Sequence, residues 1–385
     1  MSKKIMAVLD SRAEYGLLKN TFHAIQASPE LELYIVVTGA LLSKKYGYAV
    51  NEIKEDGFEI WAELPLNDIS GDETRIPAEM GNLMLGLSEE FVRNKPDILL
   101  LLGDRYEMLA AAATATAMHI PIAHISGGES TEGAMDEQIR HAVTKMAHIH
   151  FPGASVYADN IRKMGEEDWR VFDVGDPGIE NIRLTEPVPK AELEKQLGIK
   201  IDKKTLLVTY HPVTLERADL ERQIDNLVGA LSGYAGTVII TYPNSDDGSA
   251  LIIDKWKKFA EGNHSVCLIE SLGSQRYLSV MHYCGAVVGN SSSAIVEAPF
   301  LKLPVVNIGN RQKGRLMADS IVCCGYGRNE IETAIKKALS REFAETVSKS
   351  KSLYGEGNTG AEIVRVLENI ELGEKILKKK LCWGE

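Results

Sequence analysis

Two carboxylates stand just past apolar runs, where a chain turns out of a buried strand, and a third stands at a helix start nearby in sequence. Gly103-Asp104-Arg105 follows Ile98–Leu102, His124-Ile125-Ser126-Gly127-Gly128-Glu129 closes a second run, and Asp136 opens the charged stretch Asp136–His141 seven residues after Glu129. Crowded carboxylates raise one another's pKa, so one can keep its proton as an acid while another serves as a base. The paired glycines before Glu129 let the backbone approach a ligand closely. Tyr210-His211-Pro212 adds a histidine at another strand end, held extended by the following proline. Helix caps and structural ion pairs are the competing account of these residues.

A second group is suited to anions. Gly289-Asn290-Ser291-Ser292-Ser293 follows the run Ala286–Val288 and opens a helix expected over 292–299. Free N–H groups, hydroxyls and the positive end of a helix dipole suit a pyrophosphate, whereas capping alone needs only one serine. Asn290, Ser291 and Ser292 are therefore assigned to the cradle. Glu297, one turn past Ser293, is read as a ribose ligand, since a carboxylate beside phosphates is repelled unless it accepts from hydroxyls. Gly309–Arg315 places Arg311, Lys313 and Arg315 between two glycines, with a solvated basic loop as the alternative. Arg12 and Arg105 sit at helix starts and are read as anion contacts; Asn244 lies in the turn Tyr242–Gly248 and is read as a nucleotide contact. The first loop, Asp10–Gly16, lacks the GxGxxG spacing of ordinary dinucleotide sites.

Such placement requires alternating strands and helices. Apolar runs at Ile5–Leu9, Leu33–Val37, Glu59–Ala62, Ile98–Leu102, Ile120–His124, His148–Phe151 and Val171–Val174 predict strands, with helices over 17–27, 74–94, 106–117 and 135–147. A second series has strands at Leu206–Tyr210, Val238–Tyr242, Val266–Ile269, Ala286–Val288 and Val305–Asn307, with helices near 219–232, 248–261, 275–283, 292–299 and 329–340. The expected fold class is α/β, with two Rossmann-like doubly wound domains facing a central cleft. The first covers 1–178 and carries the acid/base carboxylates, the second covers 179–357 and binds nucleotide, and 358–385 is a C-terminal helix and tail. The run Lys378-Lys379-Lys380 reads as a solvated helix end.

Composition narrows the function. The chain has 385 residues, a net charge of −11 and 44% hydrophobic residues. The negative sign argues against nucleic acid as partner, and no apolar stretch is long enough for a signal peptide or a membrane span. A cytoplasmic protein is expected. Five cysteines form no CxxC pair, no zinc constellation is present, and Cys323-Cys324 is expected to be buried.

In this order and spacing the residues resemble the UDP-N-acetylglucosamine 2-epimerase family, and its hydrolysing branch in particular. The resemblance spans roughly residues 4–370 and rests on Ser11–Gly16, Gly103–Arg105, Gly127–Glu129, Asp136–His141, His211-Pro212, Gly289–Ser293 and Gly309–Arg315. It implies a fold like that of GT-B glycosyltransferases and conversion of UDP-GlcNAc and water to N-acetylmannosamine and UDP. The C2 proton is removed, UDP is eliminated, and water adds to a 2-acetamidoglucal, without metal or nicotinamide. By resemblance Asp104, Glu129 and Asp136 match the proton-transfer carboxylates and His211 the histidine near the diphosphate. Arg12, Arg105, Asn244, Ser291, Ser292, Glu297 and Arg311 match nucleotide contacts. A homodimer or homotetramer is implied.

Leu17 and Leu18 stand where non-hydrolysing members carry a lysine, and Asp136-Glu137 replaces their longer glutamate-rich motif. Tyr210–Thr214, Tyr242–Asp246 and Thr38–Ser43 also resemble sibling enzymes acting on nucleotide-linked 2,4-diacetamido-2,4,6-trideoxy sugars, which leaves that substrate as the alternative. A retaining glycosyltransferase and a non-catalytic nucleotide-sugar sensor are the remaining readings.

Overall fold

The computed structural model describes residues 2–43, 48–66, 74–130, 135–213, 218–243 and 248–382. They form two compact units, the first from Met1–Glu129, Met135–Asn181 and Tyr354–Glu385, the second built on Ile182–Leu353.

The first unit contains strands β1 (Lys3–Leu9), β2 (Leu31–Thr38), β3 (Ile60–Leu64), β4 (Ile98–Leu102), β5 (Ile122–Ile125) and β6 (Ile149–Phe151). Helices α1 (Arg12–Ala27), α2 (Val50–Glu55), α3 (Arg75–Arg93), α4 (Tyr106–Ala117), α5 (Met135–Met146) and α6 (Ser155–Lys163) connect or follow them, and α7 (Pro177–Leu184) carries the chain across the boundary at Asn181. All strand pairs are parallel, in the order β3-β2-β1-β4-β5-β6. Alternate residues of β1 explain the double winding. Ile5, Ala7 and Leu9 pack in one core with α1, while Met6 and Val8 pack on the other face with α3, α4 and α5. The small residues Ala110, Ala111, Ala112 and Ala115 let α4 lie close against the sheet.

The second unit repeats this plan. Its strands are β7 (Leu206–Thr209), β8 (Val238–Thr241), β9 (Val266–Ile269), β10 (Ala286–Gly289), β11 (Val305–Ile308) and β12 (Ile321–Cys324), in the parallel order β12-β11-β10-β7-β8-β9. Its helices are α8 (Lys190–Leu197), α9 (Leu220–Ser232), α10 (Ser249–Ala260), α11 (Gly273–Tyr283), α12 (Ser292–Val296), α13 (Arg328–Ala338) and α14 (Arg341–Lys349). Both sheets therefore have the strand order of a dinucleotide-binding Rossmann fold, with a switch point beside the first strand of each unit.

Several expectations are corrected. Val171–Val174 is not a strand: only the bridge His150↔Val171 forms, and the Val174 carbonyl accepts from the Thr359 hydroxyl instead. Strand β12 has no counterpart in the sequence reading, because Ile321–Cys324 is a half-exposed edge. Cys323, expected buried, is exposed there, and all five cysteines are free. Helix α1 begins at Arg12 rather than 17, capped by Ser11, whose side chain accepts from the Glu14 N–H. Helix α12 stops at Val296, short of the expected 299, with Pro299 close behind.

The C-terminal tail differs most. Instead of a single helix within 358–385 there are α15 (Thr359–Asn369) and α16 (Glu374–Leu377), separated at Gly373, where φ is +134°. The tail is part of the first unit. Lys3 Nζ donates to the carbonyls of Leu367, Glu368 and Ile370, closing the end of α15. Lys379 is not solvated: its Nζ donates to the carbonyls of Lys145 and Ala147 at the end of α5 and pairs with Glu166 at 2.8 Å. Buried Arg170 donates to the carbonyls of Lys375, Ile376 and Lys378. Among the described residues no helix is long and apolar enough to cross a membrane.

Candidate functional site

The carboxyl ends of β4 and β5 bring two of the three expected carboxylates to one cation. Arg140, on α5, is 4% exposed; its Nη2 donates to Asp104 Oδ2, and its Nη1 donates to the Ser126 carbonyl at 2.7 Å and lies 3.7 Å from Glu129 Oε2. Asp136 stands four residues before Arg140, on the same face of α5. The expected crowding of bare carboxylates is therefore corrected, because a buried guanidinium bridges Asp104 and Glu129 and offsets their repulsion. Arg140 was missed in the sequence as a site residue. Its signal was the i,i+4 spacing from Asp136, which marks a shared helix face but not what that face meets.

Backbone geometry holds the carboxylates in place. Gly128 has φ +74°, and a Cβ there would lie 2.5 Å from the Tyr157 carbonyl, so only glycine fits. His124 Nε2 lies 2.7 Å from the Gly103 carbonyl, immediately before Asp104. Burial pushes this imidazole down to about 3, so it is neutral at pH 7 and donates that bond.

The two arginines read as anion contacts are both paired. Arg12 meets Glu52 through two contacts, Nη2 to Oε1 at 2.8 Å and Nε to Oε2 at 3.0 Å, with both side chains exposed. Arg105 pairs with Asp10 and with Glu107, the latter at 3.3 Å. Two upward pKa displacements fall beside Arg105. Burial, then Asp10, pushes Glu107 up to about 7 and holds Glu14 well above the carboxylate range.

In the second unit, the expected cradle meets the end of β7. Asn290 is fully buried. Its Oδ1 accepts from the His211 N–H at 2.7 Å and its Nδ2 donates to the His211 carbonyl at 2.8 Å. Its side chain is thus spent on the backbone and positions His211, while its own carbonyl accepts from Arg311 Nη1 at 3.0 Å and Gln312 Nε2 at 2.8 Å. Gly289 allows this approach: with φ +139°, a Cβ would stand 1.9 Å from the Thr209 carbonyl. Ser291 caps α12 in the extended conformation, Ser292 is exposed, and Ser293 Oγ donates to Tyr277 Oη at 3.0 Å. Glu297 is the C-cap of α12. Burial, then Arg311, pushes His211 down to about 3. Asn244 lies outside the described residues. Among the described residues no cluster of three or more His, Cys, Asp or Glu is arranged for a metal ion.

Two Rossmann-like units, with carboxylates and a buried arginine at the strand ends of one and a glycine- and serine-rich turn at the strand ends of the other, give the chain the GT-B-like fold. A family model described as UDP-N-acetylglucosamine 2-epimerase matches residues 23–368. The GDP/UDP-N,N'-diacetylbacillosamine 2-epimerase (hydrolyzing) of Campylobacter jejuni is 39% identical over 90% of both chains. The UDP-N,N'-diacetylbacillosamine 2-epimerase (hydrolyzing) of Legionella pneumophila is 34% identical over 98% of this chain and 99% of that one. The S. aureus MnaA–UDP structure superposes with a TM-score of 0.78 at 18% identity, covering 95% of this chain and 96% of that one. The chain belongs to the UDP-N-acetylglucosamine 2-epimerase family and is a 2-epimerase of it.

Proposed function

We propose that the protein is a hydrolysing 2-epimerase acting on UDP-N,N'-diacetylbacillosamine, releasing UDP and the 2-epimeric 2,4-diacetamido-2,4,6-trideoxy sugar. The supporting observation is that relatives 39% and 34% identical along most of the chain bear that substrate in their names. This replaces UDP-GlcNAc, the first reading of the sequence, with its alternative.

In this reading a carboxylate from Asp104, Glu129 and Asp136 takes the C2 proton, and the C1–O bond to UDP breaks as the C1–C2 double bond forms. Water then adds, its hydroxyl to C1 and a proton to C2 on the opposite face. Arg140 keeps the carboxylates oriented and offsets their charge. Ser291, Ser292 and Arg311 receive the diphosphate, Glu297 the ribose, and Arg12, Arg105 and Asn244 complete the nucleotide contacts. His211 is neutral, so it assists departure of UDP as a hydrogen-bond donor rather than as a cation. Homo-oligomerisation belongs to the same reading and is tested by light scattering.

The test is product identification by NMR in deuterated water, with UDP-N,N'-diacetylbacillosamine and UDP-GlcNAc offered in parallel. Release of UDP, inverted C2 and deuterium at C2 are expected, with faster turnover of the diacetamido substrate. Faster turnover of UDP-GlcNAc overturns the substrate assignment, and retention of C2 hydrogen overturns the reaction.

A further inference from the structure

The carboxyl end of β1 holds more buried acid than its cations balance. Asp10 is fully buried, and Glu14 and Glu107 nearly so. Glu14 Oε2 accepts from the Asp10 backbone N–H at 2.9 Å. The cation among them is Arg105, whose Nε meets Asp10 Oδ2 and whose Nη2 meets Glu107 Oε1. Three ionised carboxylates around one guanidinium would leave uncompensated negative charge in a low-dielectric setting, which is costly.

The charged groups facing Glu107 are Asp10 from β1 and Arg105 at the start of its own helix, and Glu14 from α1 acts on Arg105 and Asp10 in turn. Neighbouring Tyr106 gives its hydroxyl to Glu79 of α3. While its carboxylate partners are buried, the Arg105 side chain is 46% exposed.

We propose that Glu107, backed by the Asp10–Glu14 pair, is a positioning residue that controls how Arg105 is presented to the substrate diphosphate. When Glu107 takes up a proton, it stops competing for Nη2 and removes a negative charge from beside an incoming anion. This rests on reading Arg105 as a nucleotide contact. Burial pushes Glu107 up to about 7, which places the exchange near neutrality.

The probe is UDP, titrated calorimetrically into the full-length wild type and Glu107→Gln at about pH 6 and about pH 8. UDP's own terminal phosphate titrates in this range, but equally for both proteins, and cancels in the comparison. Relative to the variant, wild-type affinity is expected to fall about five-fold or more on going to the higher pH. Glu107→Gln is expected to bind at high pH as the wild type does at low pH. Asp10→Asn, should the first variant fold poorly, is expected to tighten UDP binding at high pH. The same pH dependence in wild type and variants overturns the proposal while leaving the epimerase reading in place. Absence of UDP binding to the wild type at either pH overturns both.

Discussion

Arg140 and Asp104, thirty-six residues apart, share a charge-assisted hydrogen bond at the carboxyl end of the first sheet. The Arg140 side chain is 4% exposed and that of Asp104 21%, and the other arm of the fork reaches the Ser126 carbonyl and Glu129. Arg140→Lys preserves charge but not the fork. A fall in kcat/KM of about 100-fold is expected, with Arg140→Leu costing about 3 kcal/mol of stability in addition, because it strands buried carboxylates. Steady-state kinetics and urea unfolding measure the two effects; near wild-type turnover by the lysine variant would remove Arg140 from the site.

Asn290 is read from its hydrogen bonds as a positioning residue. Asn290→Ala leaves the His211 N–H and carbonyl without their partner, at an expected cost of about 2–3 kcal/mol. Urea unfolding of the variant checks this. A change below about 0.5 kcal/mol would show that the double contact adds little.

Acid stability depends on buried histidines. Burial pushes His124 and His211 down to about 3 and His148 to about 4, against an ordinary value of 6.5. Between those values the unfolded chain binds more protons than the folded one, so stability falls as pH drops below about 6.5. Glu107 acts in the opposite sense. Pushed up to about 7, it holds its proton in the folded state, and the stability this contributes is lost as pH rises through 7. Glu107→Gln should therefore steepen the acid loss between about pH 6.5 and 4.5 by roughly 1.4 kcal/mol per pH unit. Urea midpoints across that range supply the slope, and parallel slopes for the two proteins contradict the assignment.

Lys379 crosses to close the end of α5, and its side chain is 19% exposed. Lys379→Met should cost about 1–2 kcal/mol and lower Tm by about 2–4 °C per kcal/mol. Lys380→Met is the control, since the tie from that residue is a backbone N–H to Glu167 at 3.5 Å. Equal melting temperatures for the two variants would show that the cap contributes nothing.

Much of the architecture was legible in the sequence because its cause is local. The all-apolar run Ile98–Leu102 makes a buried parallel strand whatever surrounds it, and Asp104 and Glu129 follow their strands by chain connectivity alone. Residues whose role depends on distant partners were not legible. Nothing adjacent to Arg140 says that it meets Asp104 and Glu129, and nothing in Gly289–Ser293 says that Asn290 turns inward to the backbone of His211. The triple-lysine run reads as a solvated end until the fold brings Lys379 to α5. The sequence by itself determined which chemical groups stand at the strand ends, since strand and helix periods act within a few residues. Only the tertiary structure decided which cation meets which carboxylate, because buried charges are satisfied by whichever partner the packing of separate elements brings within reach.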